Sequence, residues 1–260
     1  MSTEVLERRF ARIGARLKVE ERPWMGEPRI DVRHDRRGEY FELRFEGGER
    51  EVDVEVVDAR RDDRHLLLLV RDGEEKSKFL CGHDERHWFV AAIPEAARGV
   101  SGVTAAMRAL QPDRVRAAVA RKRPADPFSR RNDAYRRQGE WFFVPEPGLV
   151  VQDWLVLRDE AISRGNGTPH VLEFVYRRGG ETVYVSRRYP NGLSQAEFDG
   201  LSEKARRQAD WSVLVRDADV FASGAVRHPD HATIVLCGWH RVVMNTEQGA
   251  RAMRHVAFLD

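Results

Sequence analysis

A chain of 260 residues with 42% hydrophobic content can bury a substantial core, either as one large domain or as two of ordinary size. Charge is abundant but balanced, 44 Lys and Arg against 42 Asp and Glu for a net +2, which excludes a whole-molecule field that would select an acidic partner. Two cysteines exclude a disulfide framework, and the longest aliphatic run, Leu66 to Val70, falls far short of the roughly 20 residues of a membrane span, so a cytoplasmic protein without membrane contact is expected.

The chain opens at Met1-Ser2-Thr3-Glu4 with no basic and apolar leader, which reads as a cytosolic start. Val5, Leu6, Phe10, Ile13 and Leu17 then fall at helical spacing, predicting an amphipathic helix over residues 3–17. After Pro23 the apolar period shortens to two in Ile30 and Val32, in Phe41, Leu43 and Phe45, and in Val52, Val54 and Val56, with Gly38 and Gly47-Gly48 as turns. Residues 65–70, 78–81 and 88–93 extend the series. The prediction for residues 25–94 is therefore an antiparallel sheet with the first helix packed on it.

The middle of the chain changes character. Residues 103–110 and 115–120 are Ala-rich and predict two helices, with Pro112-Asp113 at the second start. Pro124 and Pro127 then interrupt a charged run that reads as a linker. A second β-rich region begins at Gly139. Residues 170–176 and 181–187 flank Gly179-Gly180 in the pattern of a hairpin, and Ser194-Gln195-Ala196-Glu197 is a capping box that starts a helix ending near Ala209. Residues 220–226, 232–236 and 239–244 predict three more strands, the first two joined through His228-Pro229-Asp230-His231. The expected fold class is α+β: two antiparallel β-rich lobes, residues 1–111 and 139–260, joined by a basic helical segment over 112–138.

Of the 44 basic residues only Lys18, Lys76, Lys78, Lys122 and Lys204 are lysine, and arginine is the better bidentate phosphate ligand. Between residues 114 and 137 nine basic residues face two acidic ones. This segment carries the leading functional expectation, binding of RNA or single-stranded DNA. Arg121, Lys122, Arg123, Arg130, Arg131, Arg136 and Arg137 would hold phosphates, while Tyr135 and Trp141 would stack on bases.

Two His-bracketed turns carry the alternative, a metal-dependent hydrolase or nuclease. His83-Asp84-Glu85-Arg86-His87 follows Cys81, and His228-Pro229-Asp230-His231 precedes Cys237 and His240. Neither turn spells H-E-x-x-H or H-x-x-E-H, so a zincin is not indicated. Cys81, His83, Cys237 and His240 would make a Cys2His2 set suited to structural zinc if the turns meet. Alternatively His228, His231 and His240 would hold a catalytic ion, with Asp230 or His170 as base or supporting partner.

No G-x-S-x-G elbow occurs, and the glycines at 165 and 167 lack the lysine of a phosphate-binding loop. A third class is an adaptor that binds another protein, with some of Trp24, Trp88, Trp141, Trp154, Trp211 and Trp239 as anchors.

Overall fold

The computed structural model describes residues 2–22, 28–46, 52–163 and 168–249 and is strand-rich, mainly β with some helices. In the N-terminal half, α1 (Thr3–Arg12) is followed by β1 (Leu17–Arg22), β2 (Arg29–Asp35), β3 (Gly38–Glu46), β4 (Val52–Arg60), β5 (His65–Asp72), β6 (Glu75–Asp84) and β7 (His87–Ala92). The expected single sheet is divided into two: β1-β3-β2, and an antiparallel β4-β5-β6-β7. Leu17 is not the end of a helix. Gly14 takes a left-handed φ of +81°, the helix stops at Arg12, and the chain enters β1, which pairs parallel to β3 with Leu17 opposite Phe41.

The two sheets bury one core between them, and α1 adds Leu6 and Phe10 to it. The run Leu66 to Val70 in β5 is apolar throughout because both faces of this strand are covered. Leu66, Leu68 and Val70 join the core shared with α1, while Leu67 faces a second cluster under α2 (Val103–Leu110), where Val103, Ala106 and Leu110 pack.

Beyond α2 lie α3 (Asp113–Lys122), β8 (Arg136–Gln138), β9 (Trp141–Pro145), β10 (Leu157–Ile162), β11 (His170–Arg178), β12 (Glu181–Ser186) and β13 (Tyr189–Ser194). The chain ends through α4 (Gln195–Asp199), α5 (Glu203–Arg207), β14 (Ser212–Arg216), β15 (Asp219–His228) and β16 (His231–Met244). A six-stranded sheet in the order β10-β11-β15-β16-β9-β8 dominates this half, with a three-stranded sheet β13-β12-β14 beside it.

Residues 112–138 do not form a helical connector. Only α3 is helical; its Val115 and Ala118 pack with Tyr135, Phe142 and Val144, and residues 136–138 are already an edge strand of the large sheet. An Asn132 turn intervenes, in which the side-chain oxygen accepts from the backbone N–H groups of Ala134 and Tyr135.

Gly179-Gly180 is not a hairpin turn either. β11 pairs with β10 and β15, whereas β12 pairs with β13 and β14, so the glycines carry the chain between sheets. The capping box is formed as expected, with both reciprocal bonds at Ser194 and Glu197. Its helix is short, however, because Ser202 caps a separate α5. The strands expected at 232–236 and 239–244 are one strand, β16, with a bulge opposite β15 where Gly238 adopts φ +78°. The turn expected at Gly47-Gly48 and the glycines at 165 and 167 lie outside the described residues.

Candidate metal centre

Three strand ends supply imidazoles to one place. His170 opens β11, His228 closes β15 and His231 opens β16. Antiparallel pairing on both sides of β15 brings these ends together: His228 faces His231 across the turn, and Val171 faces Arg227. One ligand-capable atom of each histidine lies within 4.8 Å of the others, the one such gathering of three or more His, Cys, Asp or Glu side chains among the described residues. The rings are packed against each other, with centroids 4.3 Å apart for His170 and His228, 4.8 Å for His228 and His231, and 5.6 Å for His170 and His231.

His170 is 2% exposed, yet neither ring nitrogen has a hydrogen-bond partner. A buried polar atom in that state costs about 1–3 kcal/mol. Two neighbours share the condition. Trp141 Nε1 is unpartnered, with its ring edge-on to His170 at 6.4 Å, and so is Gln138 Oε1, although the Gln138 amide nitrogen donates to Ala232 O at 2.7 Å.

Gly139 makes room at this point. A Cβ placed on it would sit 3.1 Å from His231 Nε2 and 3.5 Å from His170 Nε2, and its φ of +56° disfavours any other residue. Both Nε2 atoms therefore lie beside this glycine. His231 turns its other nitrogen, Nδ1, toward Glu85 at 3.7 Å. At His228 the Asp230 N–H donates to Nδ1 at 3.1 Å and Nε2–H donates to Thr168 O at 3.2 Å, so holding an ion would displace one of these two bonds.

Burial, reinforced by the charges of its histidine neighbours, pushes His170 down to about 3. His231 is pushed down to about 4 by burial first and by the His228 charge next, against the opposing carboxylates of Asp84 and Asp230. Both rings are neutral at pH 7, the form that offers a lone pair to a metal. Three imidazoles with a fourth position open are a donor set suited to zinc.

His228, His231 and Gly139 also line a cavity of about 450 Å³ whose other walls include Glu39, Trp88 and Phe89 of the N-terminal half. That size suits a small organic ligand.

The two His-bracketed turns do meet, through carboxylates and arginines. Asp84 accepts from Arg137 at 2.8 Å, Arg130 bridges Asp84 and Glu85, and Glu85 accepts from the Ala232 N–H at 3.0 Å. Burial alone would raise Asp84, but Arg137 and Arg130 outweigh it and hold the carboxyl below its ordinary value.

The proposed Cys2His2 set is not gathered. Cys81 is fully buried in the N-terminal core, where desolvation pushes its thiol up and disfavours the thiolate a metal needs. His83 packs edge-on against Trp88 at 4.9 Å, and Cys237 is exposed at the β16 bulge. His240 sits on the same strand as His231, nine residues further along, which at a strand's rise is roughly 30 Å. Its Nδ1 donates to Gly238 O at 2.9 Å. His240 therefore lies apart from His228 and His231, and His170 is the third imidazole beside them. Asp230 stays beside the centre and lines the cavity. The His228-x-x-His231 spacing is legible in sequence, whereas nothing local marks His170 as the third member.

The expected nucleic-acid residues are dispersed. Tyr135 is 1% exposed and Trp141 is half-buried against the C-terminal core, so neither offers a free face for base stacking. Arg130 and Arg137 are committed to Asp84 and Glu85, and Arg136 donates to Asn132 O at 2.5 Å. Arg121, Lys122, Arg123 and Arg131 remain exposed, and none forms an ion pair among the described residues. Of the tryptophans, Trp24 lies outside the described residues and Trp154 is the exposed one at 78%. No helix among the described residues is long and apolar enough to cross a membrane.

No protein-family model matches this chain, and neither a curated protein nor a solved structure does. The functional reading rests on the site alone.

Proposed function

We propose that this protein is a metal-dependent hydrolase that binds one zinc-class ion through His170, His228 and His231. The observation that carries the proposal is the gathering of three imidazoles around a deeply buried His170 with both nitrogens unpartnered, beside a glycine where a Cβ would crowd His231 and His170. The chain's own residues would hold the ion on three sides, and the open position would take water. Such an ion, when bound, would supply Lewis-acid activation of water for attack on the substrate. Asp230, on the cavity wall beside the centre, would take up the water's proton. The interlobe cavity would hold the substrate.

Isothermal titration of the chelator-treated protein with zinc tests the binding step. One ion per chain is expected for the wild type and for His240→Ala, and none for His170→Ala. Equal binding by wild type and His170→Ala would remove the proposal. Activity against an activated ester and an activated phosphodiester, with zinc and with chelator, then tests the hydrolytic step.

A second reading keeps nucleic acid as partner, on the exposed Arg121, Lys122, Arg123 and Arg131 at the end of α3 and in the loop after it. Four phosphate contacts would give a measurable salt slope without base readout.

A further inference from the structure

The His83 to His87 turn supplies no ligand to the centre, yet it is built against it. Glu85, at its tip, is the first residue of the two-residue loop between the paired Asp84 and His87 and holds the positive φ, +40°, that such a hairpin turn requires. The turn thus presents its carboxylate outward, and the partners it meets come from the C-terminal half: the Arg130 guanidinium, the Ala232 N–H at 3.0 Å and His231 Nδ1 at 3.7 Å. The side chain is only 20% exposed, so water competes weakly for the carboxylate. His231 thus has its two nitrogens divided, Nδ1 toward a carboxylate of the N-terminal half and Nε2 beside Gly139.

We propose that Glu85 is a positioning residue for His231, which makes the metal centre a composite of both halves; this inference rests on the metal reading above. A carboxylate beside Nδ1 selects the tautomer with its proton there, frees the Nε2 lone pair and raises its basicity. Partners of this kind typically change metal affinity 10- to 100-fold. A cation on Nε2 would in turn make Nδ1–H a stronger donor and draw it from its present 3.7 Å toward hydrogen-bond distance of Glu85. Linkage then runs both ways: metal affinity depends on docking of the turn, and metal binding strengthens that docking over the cavity by the same factor.

The test compares wild type with Glu85→Gln, which keeps the side chain's shape and an acceptor for the Ala232 N–H but removes the charge. Zinc affinity measured by competition with a chromophoric chelator should fall 10- to 100-fold, and the visible bands of the cobalt(II)-loaded protein should shift. A merely structural role would leave the cobalt spectrum unchanged. In the wild type alone, zinc should slow hydrogen exchange at the Ala232 amide, a readout that needs no variant. Unchanged affinity and cobalt spectrum in Glu85→Gln, or exchange at Ala232 indifferent to zinc, would overturn the role of Glu85 while leaving the metal centre standing. Absence of zinc binding by the wild type would instead overturn the metal reading, and this inference with it.

Discussion

Acidifying the metal-free protein from pH 7.5 to 5 should remove about 4 kcal/mol of folding stability through His170 and His231. Their folded-state values, about 3 and about 4, lie below the ordinary 6.5, so the folded protein keeps both rings neutral while the unfolded chain takes up protons below pH 6.5. The contribution is complete above 6.5 and is lost as pH falls toward the folded-state values. Each group loses about 1.4 kcal/mol per pH unit in that window, so 1.5 units cost about 2 kcal/mol apiece. His65, His83 and His240 are also held low by burial and add a loss of the same sign. Asp84 acts below about pH 4, the ordinary carboxylate range, and does not enter. The diagnostic quantity is therefore the difference between wild type and His170→Phe in urea denaturation with chelator, at pH 7.5, 6.5, 5.5 and 5. Wild type should lose about 2 kcal/mol more than the variant across that range. Parallel slopes would refute the claim that His170 is buried as a neutral ring.

Zinc at a free concentration 100-fold above its dissociation constant should stabilise the wild type by about 2.7 kcal/mol, and chelator should reverse the shift in thermal midpoint. Gly139→Ala should abolish zinc binding while folding about 1–2 kcal/mol less stably, since the new Cβ falls 3.1 Å from His231 Nε2 at a left-handed φ; undiminished zinc affinity would show that the ion does not sit beside this glycine. Arg130→Ala leaves Asp84 and Glu85 short of their shared partner and should cost about 3 kcal/mol in chemical denaturation, against less than 1 kcal/mol for the exposed Arg123→Ala. Replacing Arg121, Lys122, Arg123 and Arg131 together by Ala should abolish any salt-dependent anisotropy change with labelled single-stranded RNA, and retained binding would place the contact elsewhere.

Local order was written into the sequence. The period of two in Phe41, Leu43 and Phe45, the Ala-rich run at 103–110 and the capping box at Ser194 specify their elements because each depends on backbone geometry and near neighbours. The His228-x-x-His231 turn is local in the same sense. Strand partnership is not: whether residues 170–178 pair with 181–186 or with 219–228 depends on which apolar faces find cover, and Gly179-Gly180 permits either course. The same distinction decided the site. Sequence placed His240 close to His231, but a single strand carries them far apart, whereas pairing of β11 with β15 brings in a distant His170. It also marked Arg130 and Arg137 as free cations, and only docking of the 83–87 turn turned them into partners of Asp84 and Glu85. Charge and residue type are fixed by the chain alone. What each group faces, and hence whether it binds phosphate, pairs with a carboxylate or offers a lone pair to a metal, is set by which surfaces the fold buries together.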